Sequence, residues 1–403
     1  MNILFVYSAD LYTTANYCVK PLKKSHTVIT CGQGKDGKVQ DIPCQFNSNI
    51  SDVIDKIDEA KKPQLIIYTE GCPPFFPKGL DKVQIPTVWY PGDPIYNFHW
   101  QKEIAPIFDF LFIYQKELVD KYKELGNNNV YWLPYGCDLD IHKKYEGKKI
   151  YDVCFIGNTE ISLHPERVEF LNRLSRRFNV YIDKKFLDEM AQAFSQAKIV
   201  FNKSTKNDLN MRVFEALSCG SFLITDRLFN NGLEDLFVDK KHLVIYDNYE
   251  HLEGLVDYYL KHPEEREEIA RQGREEALKK HTYEHRMNQL IQIVTDALNS
   301  GYKKKEINYS PFVRSIIYAD VYFNLKNYPE AILEYKNSLP FEPVRLTPLF
   351  RLCISLWNSQ FYLAIGLFKL TRFLKRVYLK WGKMAITNFT LLRKVYLNFQ
   401  LRK

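Results

Sequence analysis

The segment NDLNMRVFEALSCGSFLITD, residues 207–226, combines polar side chains with the apolar periodicity of a short helix. Asp208 is predicted to cap this helix and Gly220 to end it. The free N–H groups of the first turn and the positive end of the helix dipole favour an anion there. Arg212, one turn into the helix, can add a bidentate contact to a phosphate. Glu215 lies on the same side, where a carboxylate can accept hydrogen bonds from two vicinal hydroxyls.

This set of side chains suits a nucleoside diphosphate. The ribose hydroxyls would reach Glu215, and the phosphates would reach Arg212 and the helix start. The alternative is that Arg212 and Glu215 form a surface ion pair three residues apart, which stabilises a helix by only about 0.2–0.5 kcal/mol. The spacing alone leaves both interpretations open.

The elements that would position these residues follow an α/β pattern. Continuous apolar segments separated by helical ones predict parallel sheets that are covered on both faces. In the first half of the chain the predicted strands are residues 2–8, 27–30, 63–70, 85–93, 108–115 and 129–134. In the second half they are residues 151–156, 180–183, 199–202, 221–225 and 242–246. Two doubly wound units in tandem are therefore expected, with ligands at the carboxyl ends of the strands and in the cleft between the units.

Composition limits the class of protein. A chain of 403 residues with 46% apolar residues is long enough for two or three domains with real cores. The N-terminus reads as a first strand rather than a signal peptide, because it lacks a basic region and a cleavage site. The eight cysteines form no CxxC pair, which predicts reduced thiols in a cytoplasmic protein.

The segment is followed by GLEDLF, HLVIYDN and YYLKHPEEREEIARQGREEALKKHTYEHRM, and together these motifs resemble the CgeB-like glycosyltransferases. These enzymes are related to the large group of retaining glycosyltransferases. The resemblance is dense over residues 152–298, is looser over residues 1–145, and does not cover the tail. It implies a GT-B fold, with two Rossmann-like doubly wound domains facing a cleft, here at residues 1–140 and 141–300. A C-terminal α-helical extension would follow them.

The resemblance also implies roles for individual residues. The donor would bind the second domain, where retaining relatives carry two glutamates eight residues apart. Glu215 matches the second glutamate, which contacts the ribose, whereas Asn207 stands in place of the first, which contacts the transferred sugar. Either Asn207 or its neighbour Asp208 would take over that contact. The remaining residues implied for the donor are Lys203, Asn210 and Arg212, with Gly157 and Asn158 at the end of the first strand of the domain.

In the first domain, the sequence WYPGDP places Asp93 directly after a predicted strand. Asp93 is a candidate for a polar contact with the donor sugar or the acceptor. The alternative is a plain turn in which Asp93 bonds to its own backbone. Residues 133–142 look like the linker between the two domains of GT-B enzymes and would place Asp138 near the cleft.

No metal or cofactor is expected. Asp138 and Asp140 form a three-residue Asp-x-Asp pattern, but in a linker this pattern predicts a turn. His281 and His285 are four residues apart without a third ligand nearby, so they are expected to be surface histidines of a helix. Arginine, lysine and helix N–H groups can stabilise a departing diphosphate without a metal.

The C-terminal region has a different character. Residues 306–343 resemble a single tetratricopeptide-like helical hairpin. Between Pro343 and Lys403 there are 12 Lys or Arg and no Asp or Glu, interleaved with aromatic residues. This basic tail, residues 344–403, suits a helix lying on an anionic membrane, a nucleic-acid patch, or helices packed on the hairpin. Membrane contact is favoured, and a nucleic-acid partner is not expected.

Two hypotheses about function follow. The first is an enzyme that transfers a sugar from a nucleotide-diphosphate sugar to a hydroxyl of a polysaccharide, lipid or protein glycan, with retention and without metal. It would be cytoplasmic and could lie on the inner face of the membrane. The second is a non-catalytic nucleotide-sugar-binding or scaffold protein, whose hairpin and basic tail bind a partner or a membrane.

Overall fold

The computed structural model describes residues 1–8, 14–32, 40–45, 48–69, 76–304 and 306–338. The basic tail lies outside these ranges, and so does the prediction of membrane contact made for it. Within them, the chain forms two parallel β-sheets and a C-terminal pair of helices. No helix in these ranges is long and apolar enough to cross a lipid bilayer.

The first sheet is seven-stranded, with the order β3-β2-β1-β4-β5-β6-β7. Its strands are β1 (Asn2–Val6), β2 (Thr27–Gly32), β3 (Ile42–Pro43), β4 (Leu65–Thr69), β5 (Thr87–Tyr90), β6 (Phe110–Ile113) and β7 (Val130–Trp132). All neighbouring strands are parallel, and Ile3 of β1 lies opposite Val28 of β2 and Leu65 of β4. Six of the seven strands were predicted from the sequence, and β3 was not.

Helices cover this sheet, which explains why its central strands are apolar on both faces. The helices of the first half are α1 (Thr14–Ser25), α2 (Ile50–Asp55), α3 (Pro94–Ile104) and α4 (Val119–Lys123). Every residue of β4, β5 and β6 is buried. A burial pattern without alternation is what a doubly covered parallel sheet requires.

The second sheet is five-stranded, with the order β12-β11-β10-β8-β9. Its strands are β8 (Tyr151–Ile156), β9 (Val180–Asp183), β10 (Ala197–Asn202), β11 (Leu223–Asp226) and β12 (Val244–Tyr246). Its helices are α5 (Pro165–Leu174), α6 (Leu187–Ser195), α7 (Met211–Ser218), α8 (Leu233–Leu236), α9 (Tyr249–Lys261), α10 (Pro263–Lys280) and α11 (Tyr283–Asn299). All five predicted strands are present, so the prediction of two doubly wound units is confirmed.

Both sheets belong to one compact unit, made of Met1–Phe98 and Phe108–Lys305. One hydrophobic cluster in this unit runs from Ile3 and Phe110 in the first sheet to Val200 in the second and Leu290 in α11. The two sheets therefore share a continuous core.

The linker between the sheets, residues 133–142, pairs with the start of α11. The N–H of Cys137 donates to the carbonyl of His281 at 2.9 Å, and the N–H of Tyr283 donates to the carbonyl of Cys137 at 3.0 Å. A side chain on Gly136 would come within 2.8 Å of the backbone of Thr282, so only glycine allows this close approach.

The predicted turn at the Asp-x-Asp pattern is confirmed, because Oδ1 of Asp138 accepts the N–H groups of Asp140 and Ile141. The prediction that His281 lies on the surface is wrong. Its ring is buried, and Nη2 of Arg286 contacts its Nδ1 at 2.9 Å. The reason is that His281 lies between α10 and α11, beneath the linker that pairs with it. His285 is exposed, as predicted.

The second unit contains His99–Ile107 and the C-terminal helices α12 (Pro311–Asn324) and α13 (Tyr328–Ser338). The two helices form the expected hairpin, with Tyr322 and Tyr335 fully buried. The hydroxyl of Tyr335 on α13 donates to Oδ1 of Asp320 on α12 at 2.6 Å. The tetratricopeptide-like character of this hairpin stays a prediction.

Candidate functional site

A pocket of about 460 Å³ opens at the carboxyl edge of the second sheet. It lies where β8 and β10 are neighbours but their connections lead in opposite directions, to β9 and to β11. Such a reversal of strand order leaves a crevice at the strand ends, which is where ligands bind doubly wound sheets. The pocket is lined by residues 163–167 at the start of α5, residues 203–207 after β10, and Asp226, Arg227 and Phe229 after β11.

Helix α7 begins at this edge, but Asp208 is not its cap. Asn210 occupies the N-cap position in an extended conformation, and no side chain caps the helix. Asp208 is engaged elsewhere, because its Oδ1 accepts a hydrogen bond from Nε2 of Gln115. The Nδ2 group of Asn210 donates to Oδ1 of Asn202 at 3.3 Å, which turns its amide away from the first turn. The helix start is thus left without a side-chain acceptor, as an anion site requires.

Arg212 does not form the surface ion pair that spacing allowed. Its Nε donates to the carbonyl of Ile156 at 2.8 Å, and its Nη1 donates to Oδ1 of Asn202. Burial lowers the pKa of Arg212 to about 10, although it stays charged at neutral pH. A side chain at Gly157 would come within 2.2 Å of Nη2 of Arg212. Gly157, expected to admit a phosphate, therefore admits the guanidinium group to the end of β8.

A second buried arginine, Arg167, escaped the sequence analysis. Its guanidinium donates to the carbonyls of Lys203 and Asn158 at 2.8–3.0 Å and to the hydroxyl of Thr205. Arg167 and Arg212 both lie near the ring of Phe155, at 5.4 and 4.4 Å. No sequence signal marks Arg167, because its partners lie far from it in the chain and are mainly backbone carbonyls.

Lys203 and Asn158 also lie at the carboxyl edge of the second sheet, and the side chains of both already contact other residues. Nζ of Lys203 lies 3.1 Å from Oε2 of Glu166 and 3.3 Å from Oδ2 of Asp226. Oδ1 of Asn158 accepts the N–H of Glu160 at 2.9 Å, which forms a local turn. Lys203 lines the pocket, whereas the side chain of Asn158 stabilises the loop that leads to α5.

Asn207 also lines the pocket, but both polar atoms of its amide are already hydrogen-bonded within the protein. Its Nδ2 donates to the carbonyl of Phe229 at 2.8 Å, and its Oδ1 accepts the N–H of Phe229 at 2.8 Å. Nδ2 also contacts Oε2 of Glu117 at 2.8 Å. The residue that stands in place of the expected glutamate thus holds the backbone of Phe229.

Asp93 follows a strand of the first sheet and Asp208 precedes a helix of the second, yet the charge of Asp93 acts on the carboxyl of Asp208. The hydroxyl of Tyr114 donates to Oδ1 of Asp93 at 3.1 Å, so the side chain does not bond its own backbone. Although the residue as a whole is exposed, burial of its carboxyl group raises the pKa of Asp93, and the hydrogen bond from Tyr114 partly offsets this. Burial, and then the charge of Asp93, raise the pKa of Asp208 to about 7. One of the two carboxyls can therefore hold a proton near neutral pH.

Gln115, two residues after β6, is the second site residue that could not be found from the sequence. Its side chain is completely buried and contacts three groups from the second half of the chain. Nε2 donates to Asp208, while Oε1 accepts the N–H of Leu209 and the amide of Asn231. A single glutamine thereby sets the position of the loop that carries Asn207 and Asp208.

Glu215 is buried on α7 beside the linker residue His142. The N–H of Asp138 donates to Nδ1 of His142 at 3.0 Å, which places the proton of the neutral ring on Nε2. Nε2 lies 3.7 Å from Oε1 of Glu215, beyond hydrogen-bond distance, and has no other partner among the described residues. Burial lowers the pKa of His142 to about 4 and raises that of Glu215 to about 7.

The raised pKa of Glu215 predicts a dependence of stability on pH. Its ordinary value is 4.5, so the folded protein holds more protons than the unfolded chain between about pH 4.5 and 7. Stability from this group is present below that range and is lost as pH rises through 7. Between pH 5 and 8, the free energy of unfolding of Glu215→Gln is expected to rise by roughly 1–3 kcal/mol relative to the unchanged protein. Urea titrations at both pH values measure this difference, and parallel pH profiles would contradict it.

Within the described parts of the chain, no group of three or more His, Cys, Asp or Glu side chains is arranged to hold a metal ion. The pairs of acidic residues at the site are Asp93 with Asp208 and, at the pocket, Glu166 with Asp226 around Lys203.

Comparisons with known proteins agree with this architecture. Residues 166–292 match the family model described as glycosyl transferase-like. A search of curated proteins gives no match by sequence. Among solved structures, sucrose-phosphate synthase from Thermosynechococcus elongatus superposes with a TM-score of 0.54 at 11% identity, over 75% of this chain and all of that one.

Two further structures show the same likeness. HepE from Anabaena in complex with UDP has a TM-score of 0.55 at 12% identity, over 73% of this chain and all of that one. A glycosyltransferase from Rickettsia africae has a TM-score of 0.53 at 12% identity, over 74% and 99% of the two chains. The two doubly wound sheets joined by a short linker thus form a GT-B fold, and residues 166–292 are the segment that matches the glycosyl transferase-like family model.

Proposed function

We propose that this protein is a glycosyltransferase that takes its sugar from a nucleoside diphosphate. The observation that carries the proposal is the pair of buried guanidinium groups at the end of β8. Arg167 and Arg212 donate their hydrogen bonds to neutral oxygens rather than to carboxylates. Two positive charges held in this way, beside an uncapped helix start, favour an anionic ligand.

The proposed donor pose follows from these positions. The diphosphate lies at the start of α7, where Arg212 and the helix N–H groups neutralise the charge that develops as it departs. The ribose reaches Glu215, which accepts its hydroxyls once ionised. Asp208 and Asp93 lie toward the transferred sugar, where a carboxyl that holds a proton can donate to a hydroxyl and an ionised one can accept from it.

We further propose that the sugar is transferred with retention and without a metal, as in the CgeB-like enzymes that the sequence resembles. The departing diphosphate would then take the proton of the acceptor hydroxyl. Electrostatic stabilisation of that leaving group needs only the guanidinium and backbone donors already present. The complexes of HepE with UDP and with UDP-glucose make uridine nucleotides the first donors to test.

A thermal-shift screen of nucleotide-diphosphate sugars tests the proposal. A ligand that binds only the folded state stabilises it by about 2.7 kcal/mol at one hundred times its dissociation constant, so a matching donor raises the melting temperature clearly. The corresponding nucleoside without phosphates is the control and is expected to give a much smaller shift, because it keeps the proposed ribose contact to Glu215 but loses the contacts of the diphosphate. If no nucleotide-diphosphate sugar shifts the melting temperature, the proposal is wrong.

One observation favours a second candidate function, a protein that binds nucleotide sugars without turnover. Asn207 replaces the expected glutamate, and its amide is engaged by Phe229 and Glu117. Release of nucleoside diphosphate from the donor distinguishes the two functions. An enzyme releases it, at least slowly by hydrolysis, whereas a binding protein returns the donor intact after prolonged incubation.

A further inference from the structure

A buried histidine in the linker carries a hydrogen-bond donor that has no acceptor. The side chain of His142 is completely buried, and its Nε2 has no hydrogen-bond partner among the described residues. The N–H of Asp138 donates to Nδ1, so the neutral ring carries its proton on Nε2. Burial lowers the pKa of His142 to about 4, which keeps the ring neutral near pH 7. Since a buried N–H group without an acceptor is costly, we expect Nε2 to find one in another state of the protein.

The ring of His142 is fixed where the linker, α1 and α7 meet. The hydroxyl of Ser218, at the end of α7, donates to the carbonyl of His142 at 2.6 Å. The ring of Tyr17, on α1, contacts the imidazole in an edge-to-face arrangement, with 5.3 Å between the centroids. The bond from Asp138 to Nδ1 sets the rotation of the imidazole. The position of Nε2 is therefore set by contacts that involve no ligand.

The carboxyl group of Glu215 is the acceptor that Nε2 faces. Its Oε1 lies 3.7 Å from Nε2, so a shift of roughly 1 Å brings the two atoms to hydrogen-bond distance. Arg212, three residues earlier on α7, does not bond to this carboxyl group, because its guanidinium donates to Ile156 and Asn202. Burial raises the pKa of Glu215 to about 7, and the charge of Arg212 offsets only part of this rise. The ionised form of Glu215 therefore gains most from a further donor.

We propose that His142 is a positioning residue that orients Glu215 for a ribose diol. When the diol binds the ionised carboxylate, Nε2–H of His142 donates to Oε1, and the two hydroxyls donate to the remaining acceptor positions. A carboxylate has about four such positions, so the three bonds are compatible. The inference rests on the proposed function and deepens it, because it names a residue that favours ribonucleotide donors over donors without the diol.

Isothermal titration of the full chain tests this assignment at pH 8, where Glu215 is mostly ionised. The probes are UDP, ADP and GDP, each beside its 2′,3′-dideoxy analogue, which keeps the diphosphate but lacks the diol. The unchanged protein is expected to bind at least one ribonucleotide roughly tenfold more tightly than its analogue, because hydrogen bonds to a charged group separate the two ligands. Equal affinities within every pair would overturn the inference.

Two substitutions of His142 separate the two nitrogens of its ring. In His142→Asn the side-chain oxygen takes the place of Nδ1 and keeps the bond from Asp138, but no donor reaches Glu215. In His142→Gln the side-chain amide nitrogen takes the place of Nε2 and can donate to Glu215, whereas the bond from Asp138 is lost. The preference for the diol is expected to fall from roughly tenfold to about twofold in His142→Asn and to be kept in His142→Gln.

A merely structural role for His142 would give a different result, because both substitutions would then reduce the diol preference alike. Urea denaturation of both variants checks that each one folds. His251→Asn is the control, since it removes a histidine on α9 whose side chain is 41% exposed, and it is expected to change no affinity. An unchanged diol preference in His142→Asn, or equal losses in the two variants, would refute the inference.

The same titrations distinguish this inference from the proposed function. If none of the three nucleoside diphosphates binds the unchanged protein, the proposed function fails and the inference fails with it. If they bind with a preference for the diol that His142→Asn does not reduce, only the inference about His142 fails.

Discussion

Replacing Arg212 with methionine is expected to weaken binding of a nucleoside diphosphate by roughly 10- to 150-fold. A hydrogen bond to a charged group contributes about 1.5–3 kcal/mol, and each 1.4 kcal/mol corresponds to a factor of ten in affinity. Arg212→Lys keeps the charge but loses the planar fork, so an intermediate loss is expected. Isothermal titration with UDP and with uridine measures the effect, and only the UDP affinity is expected to change.

Arg274→Met is the matched control for this experiment. Arg274 donates from Nε to the carbonyl of Ser218 at 3.2 Å, at the opposite end of α7 from the proposed phosphate site. It is thus an arginine that contacts the same helix through a carbonyl but cannot reach the helix start. Equal losses of UDP affinity in Arg212→Met and Arg274→Met would show that the effect comes from α7 stability, and our assignment of Arg212 would be wrong.

The second large effect, on stability, is expected at a buried ion pair at the amino-terminal edge of the first sheet. Nζ of Lys304 lies 2.6 Å from Oδ2 of Asp109, and the two side chains are 10% and 3% exposed. The hydroxyl of Tyr302 donates to Oδ1 of Asp109 at 2.8 Å, and the N–H of Thr87 donates to Oδ2 at 2.7 Å. The segment that follows α11 is therefore attached to the starts of β5 and β6 through the carboxylate of Asp109, both oxygens of which are bonded.

Asp109→Asn is expected to lower the free energy of unfolding by about 3–5 kcal/mol, because it leaves the ammonium group of Lys304 buried without its counter-ion. Denaturation in urea measures the loss. The double variant Asp109→Asn with Lys304→Met is expected to recover most of it, since the uncompensated charge is removed as well. A double variant no more stable than Asp109→Asn alone would contradict this explanation.

Asp152→Asn provides the comparison. Asp152 and Lys198 also form a close pair, at 2.7 Å, but their side chains are 26% and 37% exposed. Because water screens such a pair, its removal is expected to cost at most about 1 kcal/mol. A loss as large as that of Asp109→Asn would mean that burial does not explain the difference.

Most of the fold could be predicted from the sequence, and the elements that could not be predicted have physical reasons. Strands such as β4 and β6 are continuous apolar segments, and this composition predicts that they are buried on both faces. The missed strand β3 has two residues and no such signal. It exists because Ile42 pairs with Cys31 and the N–H of Cys44 donates to the carbonyl of Gly32 at 3.0 Å. The position of β3 therefore depends on its pairing with β2 rather than on the types of its own two residues.

Only part of the candidate site could be predicted from the sequence. The placement of Arg212 and Glu215 on one helix at a sheet edge follows from local periodicity, and it is present in the structure. The cap was assigned wrongly because the choice between Asp208 and Asn210 depends on Gln115, which lies about ninety positions earlier and draws Asp208 away. Arg167 and His142 carried no local signal, since each acts through a partner that is distant in the chain.

By itself, the sequence determined the number and type of the main elements and the chemical character of the site, because hydrophobic periodicity and residue type are local properties. Only the tertiary structure decided which polar groups are engaged and which are free. It placed Arg212 against Gly157, turned the amide of Asn207 onto Phe229, and buried Glu215 beside His142. The availability of a side chain depends on burial and on partners brought together from both sheets, and these exist only once the chain has folded.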